Sequence, residues 1–209
     1  MEKFAETQTP IHDLIGRRWS PRAFSAQLVE PDKLRSVLEA ARWAPSSRNE
    51  QPWAYLVATR GDPGNDSMAF GDLLGTLMST NQAWAQKAPV LILTLAHTQW
   101  AKEGKPNRLA LHDLGQATAN LVTQATHLGL VTHQMGGFDV EAARSRFHIP
   151  AGWEPVSVIA LGYPGKLEDL PEPLRERETG QRQRKPLEEF VFSGTWGHPA
   201  SIASSPGIK

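Results

Sequence analysis

Residues Val90 to Leu95, VLILTL, are apolar at nearly every position. An unbroken run of this length fits a strand buried on both faces, because a strand with one wet face alternates apolar and polar residues. It therefore calls for covering layers on both sides. The longest apolar stretch, Val90 to Ala96, is far short of the roughly 20 residues needed to cross a bilayer. Two more β-rich runs, Trp53 to Ala58 (WAYLVA) and Val156 to Tyr163 (VSVIALGY), and the shorter Val131 to Met135, are expected to be strands.

Helical periodicity supplies the layers. Leu109 to Leu128 carries Leu114, Ala117, Leu121, Val122, Ala125 and Leu128 on one stripe, and Gly129 is placed to stop it. Gly115, Ala117 and Ala119 would permit close helix packing. Pro31 opens a second helix, with Leu34, Val37, Leu38 and Ala41 on one face, that ends near Pro45. Thr9-Pro10 before IHDLI and Gly16 predicts a short helix with Thr9 as cap. An amphipathic stretch with Leu73, Leu74, Leu77 and Met78 follows a turn at residues 61–66. Helix is also expected at Asn81 to Lys87 and at Val140 to Phe147, with Trp100 to Arg108 as an exposed loop. Beyond Tyr163, residues 164–186 are rich in proline and charge without periodicity. Leu187 to Phe192 is apolar with nothing local to pack on, and Ser193 to Lys209 reads as frayed. Strands alternate with helices, an α/β-like pattern whose connections allow mixed strand directions. The 209 residues read as one domain.

Composition excludes several functions. Lysine plus arginine and aspartate plus glutamate both number 22, so no bulk attraction to nucleic acid or anionic membrane exists. Cysteine is absent, which removes disulfides, thiolate metal sites and thiol nucleophiles. The histidines lack matching carboxylates at metal-site spacing, so no metal is expected. No G-x-G-x-x-G, P-loop or G-x-S-x-G pattern occurs. The opening MEKFAETQTPIHDLIG has no apolar signal-peptide core, and a cytoplasmic location is expected. Seven tryptophans make an oligomer plausible.

Four constellations could carry chemistry. Arg17, Arg18, Ser20 and Arg22 place three guanidiniums and a hydroxyl within six residues, a set that can grip a phosphate or simply form a solvated turn. Pro45 to Trp53 (PSSRNEQPW) offers groups that both donate and accept, or a turn satisfying its own backbone. Gly136-Gly137 after a strand allows a ring to approach backbone N–H groups, or marks a strand-to-helix turn. Arg182, Arg184 and Lys185 could complete a phosphate site from the tail, or form a charged linker.

Together these segments resemble the nitroreductase-like flavoprotein family. RRWSPRAF is similar to its phosphate-gripping opening and AARWAPSSRNEQPW to its most diagnostic stretch. NQAWAQKAPV, HQMGGFD, IPAGWEPVSVIALGYPG and RQRKPLEEFVF follow in family order, over roughly residues 11–192. The resemblance implies an α+β three-layer sandwich, with a central mixed, mainly antiparallel sheet flanked by helices, assembled as a homodimer with flavin mononucleotide (FMN) at the subunit interface. About 164–209 would be an extended tail wrapping the partner. Arg18, Ser20, Arg182 and Arg184 would hold the phosphate, with Trp19 contributing mainly backbone. Arg22 would face the ring's polar edge or the ribityl chain. Pro45, Ser46, Ser47 and Asn49 would come from the partner subunit, Asn81 would approach the pyrimidine edge, and Gly136 and Gly137 would lie over the ring near N5. Hydride would pass from NADH or NADPH to a small electron-poor acceptor, a nitroaromatic or quinone, in a ping-pong cycle with no side chain as acid, base or nucleophile. Trp84, Trp100 and Phe138 either shape the acceptor pocket or pack in the core. The other readings are an FMN carrier or sensor without turnover, and a structural dimer without cofactor.

Overall fold

Among the described residues, four strands and seven α-helices follow in the order α1 (Asp13–Arg17), α2 (Pro31–Arg42), β1 (Trp53–Thr59), α3 (Asp66–Thr76), α4 (Ser79–Ala85), β2 (Val90–His97), α5 (Ala110–His127), β3 (Val131–Met135), α6 (Val140–Arg146), β4 (Trp153–Gly162) and α7 (Glu172–Thr179). This computed structural model describes residues 2–61 and 66–203. Most of the turn read at 61–66, and the last six residues, lie outside the described residues. The strands form one sheet in the order β1-β2-β4-β3, and all three pairings are antiparallel. The mainly antiparallel α+β sandwich is thus present in one chain.

β2 lies at the centre for the reason its composition predicts. Val90 and Ile92 point to the face covered by α2 and α5, among Val37, Ala41, Ala117, Leu121 and Ala125. Leu91, Leu93 and Leu95 point to the other face, among Phe70, Leu73, Trp84 and Ala143. Complete burial of each such side chain contributes about 1.5–3 kcal/mol. Trp84, only 2% exposed, belongs to this second layer, which decides in favour of its core-packing reading. Among the described residues no helix is long and apolar enough to cross a membrane.

Four boundaries differ from the sequence reading, each for a physical reason. β4 begins at Trp153, three residues before the expected start, because Pro155 is accommodated at a bulge. Thr94 pairs with Ser157 and Leu95 with Pro155, leaving Val156 over. The bulge is stitched by Thr94 Oγ1, which accepts from Ser157 N at 3.1 Å. α1 starts at Asp13, and its cap is His12, whose ring accepts from Leu14 N. Gly16 lies inside that helix, and its carbonyl accepts from Ala5 N at 2.9 Å. α7 occupies residues that carry no periodicity in the sequence. Its start is marked by Pro171 and Pro173, but its buried residue is Glu178 and not an apolar side chain. Residues 193–203, read as frayed, fold back on themselves: Ser193 N donates to His198 O and Ala200 N to Val191 O.

The segment that matters most for the candidate site is 21–25, between α1 and α2, which runs beside the end of β4. Phe24 bridges Pro164, Ser25 N donates to Tyr163 O and Gly165 N donates to Ala23 O. The approach is so close that a Cβ on Gly165 would stand 2.7 Å from the backbone carbonyl of Phe24. Backbone cannot swing aside as a side chain can. Gly165→Ala is therefore expected to lower stability by about 1–3 kcal/mol, the range for overpacking, read as a lower urea midpoint with an unchanged slope. An unchanged midpoint would contradict the packing described.

Candidate functional site

The two ends of the described chain meet beside the start of β3. Arg182, from the tail, donates through Nη1 to the carbonyls of Lys3 and Gly16, both at 2.7 Å, and through Nη2 to that of Arg18 at 2.9 Å. Lys3 returns the tie, donating to the carbonyls of Glu178 and Gly180. Arg182 is thus used mainly as a clamp. The result is a cleft of about 490 Å³ whose walls include Thr7, Thr9, Arg18, Arg182, Arg184 and Lys185.

Basic groups outnumber acidic ones on these walls, where the carboxylate of Glu6 accepts from Gln181. Burial holds the Arg18 guanidinium below its ordinary pKa, and the charges of Arg182 and Arg184 push it lower. Arg182 is lowered by burial and by Arg184. Arg18 Nη1 donates to Ser20 Oγ at 3.2 Å, and no carboxylate appears among the causes. Like charges gathered in a half-dry place disfavour their own ionised forms, and an anion seated among them would reverse that. Trp19 stands alongside, with the Lys3 ammonium 5.0 Å from its ring centre.

β3, an edge strand, leads away from this cleft. Its His133 donates through Nδ1 to the Pro21 carbonyl at 3.0 Å, and its ring lies 4.5 Å from that of Trp84. Burial, opposed by that carbonyl and reinforced by the charges of Arg22 and Arg18, lowers its pKa to about 4. Just past the strand, Asn81 Nδ2 donates to Gly137 O at 3.3 Å, and a Cβ on Gly137 would meet Met78 at 3.0 Å. A Cβ on Gly136 would meet nothing within 4 Å, so the chain there faces open space. Five residues of strand, from Val131 to Gly136, separate the two clusters by about 17 Å at 3.3 Å per residue.

The loop containing Pro45, Ser46, Ser47 and Asn49 stands apart. Ser47 N donates to Asp113 Oδ2 at 3.1 Å, at the start of α5. Arg18 shares a pocket with Thr126 and Gly129, at the end of α5. Thirteen residues of helix at 1.5 Å each put the two ends about 20 Å apart. Arg48, Asn49 and Gln51 all have left-handed backbone (φ 56°, 55° and 51°), which L-residues adopt only when their surroundings impose it. Here the constraints are Gln51 N donating to Ser46 Oγ, Arg48 paired with Glu103 at 3.0 Å and lying 4.6 Å over the Trp100 ring, and Glu50 accepting from Ala101 N.

A family model described as the nitroreductase family matches residues 15–163. This chain belongs to the nitroreductase family. A crystal structure described as an oxidoreductase containing FMN superposes with a TM-score of 0.84 at 31% identity, over 91% of this chain and 95% of that one. A nitroreductase family protein from Clostridium difficile 630 gives 0.66 at 28% identity, over 87% and 96%. An uncharacterised 15.4 kDa protein of Mycolicibacterium smegmatis is 36% identical over 148 residues, covering 69% of this chain and 98% of that protein. A protein of Archaeoglobus fulgidus carrying the provisional name NADH dehydrogenase/NAD(P)H nitroreductase is 28% identical over 164 residues, covering 75% and 87%.

In this nitroreductase-family chain, Arg18, Ser20, Arg182 and Arg184 come together, and so do Asn81, Gly136 and Gly137. The 45–49 loop joins neither group within one chain. Arg22 turns to a partner that sequence reasoning missed: the buried carboxylate of Glu178, whose Oε2 lies 3.6 Å from Arg22 Nη1. His133 and Asp113 were missed as well, because a lone histidine on a strand and an aspartate early in a helix carry no spacing signal.

The His133 shift has a testable sign. The unfolded chain binds this proton near the ordinary 6.5 and the folded chain only near 4. Between those values the unfolded state holds more protons, so stability falls as pH is lowered through the window and is present in full above it. Urea unfolding at pH 7 and pH 5 should show wild type losing about 1–2 kcal/mol more than His133→Gln, allowing for partial exposure. Equal losses would contradict a neutral, buried imidazole.

Proposed function

We propose that this chain binds FMN along the β3 edge as a homodimer and uses it to pass hydride from NADH or NADPH to a small electron-poor acceptor such as a nitroaromatic or quinone. One observation carries the reading: guanidiniums from opposite ends of the polypeptide gather around a single cleft with each other as the main charged neighbours. A phosphate dianion matches that arrangement in charge and in donor geometry. The FMN described in the similar oxidoreductase structure supports the choice of ligand. The Archaeoglobus relative's name supports a reduced nicotinamide as hydride source.

The residues fit the group. Arg18 and Arg184 would take the phosphate, and Ser20 would add a hydroxyl. Arg182, already committed to three carbonyls, would fix the cleft's shape. Arg22 and His133 lie between the phosphate end and the glycine end. There Asn81 holds the Gly137 carbonyl, and the free space at Gly136 would admit the edge of a flat ring to the backbone. When bound, FMN supplies the hydride-carrying centre, and the protein supplies orientation and charge. Donor and acceptor would use one slot in turn, a ping-pong order, and no side chain is assigned as acid, base or nucleophile.

A second copy is needed for completeness. The loop with Ser46, Ser47 and Asn49 can reach a cofactor at Arg18 only from a partner, given the length of α5 between them. Large apolar groups await cover on α1, just before it and on the tail: Ile15, Ile11, Phe190 and Trp196, the last 92% exposed. On α5 the outer face carries exposed Leu111 beside exposed Gly115 and Ala119, whose small size allows close approach of a helix. The reading takes the chain as one domain whose tail after about 164 is tied first to its own N-terminal segment, through Glu178 and Arg182, and then wraps the partner, in the cytoplasm where reduced nicotinamides are supplied.

The test is optical. The FMN-loaded protein, mixed anaerobically with NADPH or NADH, should lose its visible absorbance within seconds and regain it on addition of a nitroaromatic or quinone. A yellow protein that neither nicotinamide bleaches would be a carrier. Failure to take up FMN would overturn the proposal.

A further inference from the structure

Glu178 is a carboxylate with 2% of its surface exposed, the buried residue of a helix rich in charge. Its Oε1 accepts from the backbone N–H of Arg22 at 2.7 Å and of Ala23 at 3.3 Å. Its Oε2 has no hydrogen-bond partner. Among the described residues, the only cation within 4 Å of Oε2 is the Arg22 guanidinium at 3.6 Å. Beside the carboxylate is a cavity of about 20 Å³, lined by Trp19, Pro21, Ala23, Pro164, Gly165 and Leu167. That is room for one water at most. An ionised carboxylate this deep is costly unless it is compensated. The compensation here is two amides and one guanidinium, all from the segment that also carries Arg18 and Ser20.

Arg22 is itself three-quarters buried, with 25% of its side chain exposed. Its charge is felt by His133 on β3, midway between the basic cleft and Gly136. One end of the guanidinium is thus held by a buried anion while the rest borders the path proposed for the cofactor.

We propose that Glu178 is a positioning residue for FMN, holding the Arg22 guanidinium against the ribityl-ring portion of the cofactor. The inference rests on the FMN reading above. It assigns a role to α7: the helix carries a carboxylate from the tail to the N-terminal basic motif, so the same tail that brings Arg184 to the phosphate aims Arg22 further along. Glu178 touches no reacting atom. Its effect passes through Arg22, and that separates it from a direct electrostatic influence.

The two routes give opposite signs. If Glu178 works by holding Arg22 in place, Glu178→Gln lets the guanidinium leave the cofactor, and the midpoint potential of bound FMN falls as it does in Arg22→Gln. If the carboxylate acted by its own charge, its removal would favour the more negative reduced form and raise the potential. We expect Glu178→Gln and Arg22→Gln each to raise the Kd for FMN at least ten-fold and to lower the potential, with the double variant no worse than either single one. An unchanged Kd in Glu178→Gln, a raised potential, or additive effects in the double variant would overturn the inference while leaving FMN binding by wild type intact. Should Glu178→Gln fail to fold, Arg22→Gln, altered at a more accessible site, still decides: unchanged affinity and potential there would mean that Glu178 holds nothing the cofactor uses. Wild type that binds no FMN would instead remove the functional reading itself, and this inference with it.

Discussion

A guanidinium from the tail that donates to three carbonyls near the other end of the chain is the constraint on which the site depends. Arg182 binds the carbonyls of Lys3, Gly16 and Arg18 at once. Each charge-assisted bond contributes on the order of 1.5–3 kcal/mol when shielded, and less where water competes. Glu178 adds a second tie through the amides of Arg22 and Ala23. Without these, Arg18 and Arg184 sit on two segments with no reason to converge, since the sheet between them is complete without either. The sandwich provides a rigid platform, and the joining of the tail to the N-terminal segment turns its β3 edge into the candidate site.

That joining comes at an electrostatic cost. Burial, then the charges of Arg182 and Arg184, depress the ionisation of Arg18, and burial, then the charge of Arg184, depress that of Arg182. The carboxylate that lines the same cleft, Glu6, is taken up by Gln181. The available buried carboxylate is instead set one step away, against Arg22. The strained 46–51 loop shows the same pattern at the opposite end of α5, where Asp113, only 1% exposed, and an arginine-tryptophan contact hold residues in left-handed backbone. Strain and unbalanced charge concentrate where the chain is proposed to meet a ligand and a second copy, and the core around β2 has neither.

What could be read from the sequence follows where periodicity reports burial. β2, α2 and α5 were legible because their apolar residues mark which faces are covered, and Gly129, at φ 75°, closes α5 as expected. β4 was shortened because Pro155 reads as a strand breaker, and only the bulge opposite Thr94 and Leu95 shows how it is tolerated. α7 was invisible because the residue it buries is charged, and hydrophobic patterning cannot report a buried Glu178. Pro171 and Pro173 were the available signal for its start. In the site, Arg18, Ser20, Arg182 and Arg184 were legible as a group through family resemblance. Spacing alone could not have distinguished two solvated basic turns from one cleft. The use of Arg182 as a clamp, the neutral His133 and the Glu178–Arg22 pair arise from tertiary contacts between residues as much as 179 positions apart.

The central claim is that the converging guanidiniums recognise a phosphate monoester. The most direct measurement is the affinity of wild-type protein for FMN against riboflavin, which share every atom except that phosphate, by fluorescence titration at fixed ionic strength. Two charge-assisted contacts of about 1.5–3 kcal/mol each predict that FMN binds at least ~100-fold more tightly, with the advantage shrinking as salt is added. Equal affinities for the two flavins would contradict the account.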